Sequence, residues 1–198
     1  MNAAEFGSAR GLTASTEALA QLLHRTVVEV RAGASGGAGI IWGGSGLVVT
    51  NAHCAPSGGR VEVEADGTLH EARVVARHRS HDLALLAAPS VRGPLLELRA
   101  VESLRPGELV FAYGHPLGVR DALTIGVLHG VARNARGTEP RWVVADVRLA
   151  PGNSGGPLVD AEGRLVGINS MIVNGLACAV PATLVKRFVE HVVARRAA

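Results

Sequence analysis

From Thr26 onward the chain breaks its apolar residues into short runs, each closed by Gly, Pro, Asn or Asp. That punctuation constrains the fold more than any other feature. Runs this short suit strands, because a helix needs an apolar stripe sustained over ten or more residues. Val27–Val30, Ile40–Trp42, Leu47–Thr50, Val61–Glu64, Leu69–Ala76 and Leu83–Ala87 form one series. Glu108–Tyr113, Ala122–Arg133, Trp142–Val147, Pro157–Val159 and Leu165–Asn169 form another, and Pro94–Pro106 reads as the crossing between them. Gly43-Gly44-Ser45-Gly46 signals a hairpin, and Ala65-Asp66-Gly67 a turn. Many short turn-separated strands predict an all-β barrel or sandwich, and two similar halves of about six strands each would close into two antiparallel β-barrels with few exposed edges. Helical spacing occurs only at the ends. Thr13–Arg25 has Leu19, Leu22 and Leu23 on one face, capped by Ser15 or Thr16, and Ala182–Arg196 has Leu184, Val185, Phe188, Val189 and Val192, with Pro181 just before it. No low-complexity tract and no clear sequence repeat is visible.

The second constraint is Ala150-Pro151-Gly152-Asn153-Ser154-Gly155-Gly156-Pro157-Leu158. Glycines there open backbone conformations closed to other residues, so a tight turn can aim backbone N–H groups at one point beside the serine hydroxyl. Acyl transfer needs that arrangement to hold an oxyanion. A serine hydroxyl also needs a base, and the base an orienting carboxylate. His53 follows an apolar strand in Val49–Cys54, and Asp82 precedes one in His81–Leu86. The order His, Asp, Ser is the chymotrypsin order. Gly152–Gly156 also satisfies the short Gly-x-Ser-x-Gly pattern of α/β-hydrolases. Those enzymes place histidine after serine, however, and here only His191 in the last helix does so.

With these residues in view, roughly 26–182 resembles the protease domain of the HtrA/Deg branch of chymotrypsin-like serine proteases. The resemblance rests on TNAHC at Thr50–Cys54, HDLALL at His81–Leu86, PGNSGGPLVD at Pro151–Asp160, LVGINS at Leu165–Ser170 and GLACAVPATLV at Gly175–Val185. It implies Ser154 as nucleophile, His53 as general base and Asp82 as the carboxylate fixing the imidazole. The oxyanion hole would be Gly152, Asn153 and Ser154, with the N–H groups of Gly152 and Ser154 as donors. Ser170 matches a residue whose hydroxyl supports the aspartate, the alternative being an ordinary turn serine. Leu149, Ala150, Ser170, Met171, Ile172, Ala177 and Cys178 are the expected substrate-binding wall. None is charged, which favours a small or medium aliphatic residue before the scissile bond, and Arg148 is expected to point away. The implied activity is serine endopeptidase cleavage of unfolded or extended polypeptides. The alternative is a peptide-binding, chaperone-like module with an idle triad, and an esterase would share the chemistry.

The sequence departs from that pattern in places. Cys54 follows His53 as in secreted trypsin-like enzymes, but Gly37–Ile41 holds no cysteine to pair with it. Cys54 and Cys178 therefore read as free thiols, one near the triad and one at the pocket wall. The Arg31–Gly39 connection is short, which argues against the large cages that a long insertion there supports. No PDZ module is read after the last helix, whose apolar face is expected to cap the second barrel. Domain boundaries read as 1–12 leader, 13–182 protease domain (barrel one about 26–93, barrel two about 105–181) and 182–198 helix. Met1–Ser8 (MNAAEFGS) is open to being a cloning-derived leader. The location is thus cytoplasmic as written, or periplasmic if a signal or anchor was removed. His78 and His81 beside Asp82 lack the further ligands zinc needs and read as surface histidines, and His115 as a structural turn residue. No cofactor and no metal are expected. The formal net charge is +3 with no basic stripe, which argues against nucleic acid. No apolar run reaches bilayer length. Expected partners are polypeptide substrates, with a trimer as a possibility that the resemblance raises.

Overall fold

A computed structural model of the chain describes residues 3–197 apart from Ala34, Ser45, Ser57 and Gly59. Ser45 of the expected Gly43–Gly46 turn and the first two residues of the expected leader thus lie outside the described residues. Twelve strands form two closed antiparallel barrels. Barrel one holds β1 (Val27–Ala32), β2 (Ser35–Trp42), β3 (Leu47–Thr50), β4 (Val61–Ala65), β5 (Thr68–His78) and β6 (Leu83–Ala87). Barrel two holds β7 (Leu109–Gly114), β8 (Ala122–Arg133), β9 (Pro140–Asp146), β10 (Pro157–Asp160), β11 (Leu165–Val173) and β12 (Leu176–Pro181). Barrel one is ordered β1-β2-β3-β6-β5-β4, and barrel two β7-β8-β9-β12-β11-β10. The two halves share one topology, although no repeat is visible in their residues. The segment between them adds a parallel bridge, Leu98 beside Leu165.

β2 begins five residues earlier than the apolar run Ile40–Trp42 indicates, because three glycines are built into it. A Cβ on Gly36 would lie 2.7 Å from the Val30 carbonyl oxygen, and one on Gly39 2.7 Å from Val48 Cγ1. A Cβ on Gly37 would meet the Ser154 carbonyl oxygen at 2.4 Å. Glycine is disfavoured in strands, so the sequence reads as loop where close packing in fact requires glycine. The first helix, α1, spans Ala3–His24 and begins ten residues before the expected start at Thr13, so residues 3–12 are helical.

One apolar cluster crosses the whole molecule. It joins Leu19 and Leu23 of α1, Ile40 and Leu85 of barrel one, and Tyr113 and Ile168 of barrel two to Phe188 of α2 (Ala182–Ala197). Each barrel has a further interior cluster of its own. The final helix packs on β11 and β12 of barrel two and also reaches β6 of barrel one.

Candidate active site

The Ser154 turn belongs to barrel two but is pinned to barrel one. The Ala38 N–H of β2 donates to the Ser154 carbonyl at 2.7 Å, and the Thr50 hydroxyl donates to the Ala38 carbonyl at 2.7 Å. Gly155 has φ +84°, and a Cβ there would sit 2.1 Å from the Ala38 oxygen. Only glycine fits this approach. Asn169 holds the other side: its carbonyl accepts the Gly155 N–H at 2.9 Å and its amide donates to the Pro157 carbonyl at 2.9 Å.

Asp82 stands in the left-handed region (φ 53°, ψ 46°), which aspartate tolerates, directly after the 3₁₀ turn Arg79–His81. The Asn51 amide and the Ala52 N–H both donate to its carbonyl, at 2.9 and 3.2 Å. Its carboxylate accepts from the His53 N–H at 3.1 Å, pairs with His53 Nδ1 at 2.8 Å and accepts the Ser170 hydroxyl at 2.6 Å. Burial alone would raise the Asp82 pKa, but the His53 and Ser170 hydrogen bonds outweigh it and hold it below the usual carboxylate value. The same bond to Asp82, with Cys54 second, raises His53 above the ordinary imidazole value.

His53 and Ser154 line one cleft of about 340 Å³ together with Leu149, Ala150, Gly152 and Ile172. The Ser154 hydroxyl donates to the Ser170 carbonyl at 3.5 Å and makes no hydrogen bond with His53. The N–H groups of Gly152 (φ +109°) and Ser154 have no acceptor among the described residues. Asn153 differs from both: its N–H is taken by the Ala150 carbonyl at 3.0 Å and the residue is largely buried, so it shapes the turn and its backbone offers no donor.

Asn153, Ser170 and Met171 also line the cleft, as do Pro151 of the serine turn and Gly36, which carries no sequence signal of its own. Ala177 and Cys178 correct the expected wall. They sit buried on β12 beside Ile172 and Met171, their strand partners, and are not among the residues that line the cleft. Arg148 is exposed and likewise outside it. Both cysteines are free and buried, and Cys54 Sγ lies 3.6 Å from the Ser154 carbonyl oxygen. His78 and His81 are half-buried rather than on open surface, and stack with centroids 4.3 Å apart. Among the described residues, no group of three or more His, Cys, Asp or Glu could hold a metal ion. Among them, too, no helix is long and apolar enough to cross a membrane.

Paired six-stranded barrels with serine and histidine facing one cleft, and a carboxylate behind the histidine, define the chymotrypsin-like class of protein fold. Residues 37–168 match the trypsin-like peptidase domain family, and the chain belongs to it. Serine protease HTRA1 of Xenopus laevis is 34% identical over 166 residues, covering 80% of this chain and 36% of that protein. A probable periplasmic serine endoprotease, DegP-like, of Chlamydia trachomatis is 30% identical over 166 residues, covering 79% and 33%. The chain thus spans about a third of the length of these relatives. A solved HtrA-type protease with a tripeptide superimposes at a TM-score of 0.80 and 27% identity, covering 88% of this chain and 62% of that one.

Proposed function

We propose that this domain is a serine endopeptidase that cleaves extended or unfolded polypeptides through an acyl-enzyme. The reading is carried by the 2.8 Å His53–Asp82 pair, whose imidazole lines the same cleft as Ser154. Rotation about the Ser154 side-chain bond would move its hydroxyl from the Ser170 carbonyl toward the free imidazole nitrogen. His53 then takes the proton as the hydroxyl attacks the scissile carbonyl, and returns it to the leaving amine. The Gly152 and Ser154 N–H groups receive the oxyanion, and losing one such donor costs about 3 kcal/mol of transition-state stabilisation. Ser170 steadies Asp82 through its 2.6 Å bond.

Substrate would bind as an added strand. β10 pairs with β11 only as far as Ile168, so Met171–Val173 keep a free backbone edge beside the cleft. Hydrogen bonds to that edge do not depend on substrate sequence. Leu149, Ala150 and Ile172 supply an uncharged wall that suits a small or medium aliphatic residue before the scissile bond. An extracytoplasmic location rests on the similarity to the probable periplasmic DegP-like relative and is tested by cell fractionation. A trimer rests on the resemblance and is tested by light scattering.

A second reading has one observation in its favour. The Ser154 hydroxyl is turned to the Ser170 carbonyl, as in a resting site that binds peptides without cleaving them. Fluorophosphonate labelling separates the two. Wild type is expected to label and Ser154→Ala not to, with cleavage of a denatured proteome after small aliphatic residues. Folded wild type that stays unlabelled under every substrate condition supports the binding module instead.

A further inference from the structure

A groove of about 380 Å³ runs between β5 and α2, outside the cleft just described. Arg77, His78, His191, Arg195 and Arg196 line it, and among the described residues no carboxylate does. Among the described residues none of these five side chains makes an ion pair, whereas Lys186 and Arg187 on the same helix reach Glu190 and Glu139. The floor is apolar, with Val75 on the strand side and Phe188 and Val192 on the helix side. His78 is held edge-on against Phe188, ring centroids 6.2 Å apart, and stacked on His81. Arg77 is fixed in the groove wall: one guanidinium nitrogen donates to the Ala52 carbonyl, while its buried Nε has no partner.

We propose that this groove binds an acidic, apolar polypeptide segment at a site distinct from the cleft. Unmatched guanidinium groups over an apolar floor ask for a ligand with carboxylates beside aliphatic side chains. A free phosphate would leave the floor uncovered. A bilayer surface is flat and meets protruding cations, whereas these line a concavity. Nucleic acid would need a longer track of cations and exposed stacking faces, and Phe188, the one ring on the floor besides the histidines, is buried.

The test uses the whole chain carrying Ser154→Ala, so that binding is read without cleavage and independently of the proteolytic assignment. Fluorescence polarisation with a labelled Glu/Leu peptide is expected to show saturable binding that weakens as salt screens the charges. Reversing charge at two exposed positions, Arg195→Glu with Arg196→Glu, should weaken it roughly 10-fold. Lys/Leu and Glu/Ser peptides should bind far less, and wild type blocked by a fluorophosphonate should bind as well as Ser154→Ala. No binding of the Glu/Leu peptide overturns the proposal, as does binding indifferent to the double reversal or lost on blocking Ser154. Binding to phosphatidylglycerol vesicles without binding to the peptide also overturns it, in favour of a membrane surface.

Discussion

His53 works as a base only when neutral, so its ionisation sets the pH at which the proposed chemistry runs. The Asp82 hydrogen bond, then the Cys54 neighbour, raise its pKa above the ordinary 6.5. We expect kcat/KM for a fluorogenic peptide to rise with pH through a midpoint above that value. Asp82→Asn should bring the midpoint back down and lower kcat by about 10⁴-fold, through loss of the favoured tautomer. The stability term runs the other way. A raised imidazole pKa stabilises the fold fully below 6.5 and ceases to do so as pH rises through the folded value. Asp82 is the mirror case: its depressed pKa contributes stability above the ordinary carboxylate value that is lost as acid protonates the folded group. A wild-type midpoint at or below 6.5 would falsify the coupled-pair account.

Single elements carry the geometry of the turn and the docking of the helices. Gly152 sits at φ +109°, and a Cβ there would lie 2.3 Å from the His115 carbonyl oxygen. The same segment holds the turn by donating the His115 N–H to the Gly152 carbonyl at 3.2 Å and the Leu117 N–H to the Pro151 carbonyl at 3.1 Å. Gly152→Ala should therefore displace the proposed oxyanion donor, lowering kcat by about 10²–10³-fold while KM changes little, as steady-state kinetics on one peptide would show. At α1, Leu23 is fully buried within the cluster that spans both barrels. Leu23→Ala should cost about 2–5 kcal/mol in chemical denaturation, from lost burial plus the cavity left behind. A loss under about 1 kcal/mol would mean that the helix is peripheral to the core.

At the scale of the whole molecule, the cleft exists only because the two barrels share a core. Barrel one supplies His53 and Asp82, barrel two supplies Ser154 and Ser170, and the cluster from Leu23 through Ile40 and Tyr113 to Phe188 joins them. Calorimetry should accordingly show one cooperative transition, with calorimetric and van't Hoff enthalpies equal. Two resolved transitions would mean that the barrels melt independently and that the shared cluster contributes little. Arg99 adds a polar tie: from the inter-barrel segment it reaches the buried Asp160 of β10 at 3.1 Å and Glu108 at 2.8 Å.

The residues themselves determined most of the strand positions along the chain, the all-β class and the His, Asp, Ser sequence, because alternation, turn chemistry and short motifs act within a few positions of each other. Leu83–Ala87 and Ala122–Arg133 fall where the apolar runs end. Long-range packing decided the rest. Gly36 and Gly37 became strand because they pair with Arg31 and Val30 of β1 and pack against the Val30 and Ser154 carbonyls, and Cys178 is buried on β12, where a register shift in β11 pairs it with Met171. The direction of the Ser154 hydroxyl, the depressed Asp82 pKa and the basic groove against α2 likewise have no local signature. Each depends on which distant surfaces meet, and that is settled only when closed barrels and helices pack into one core.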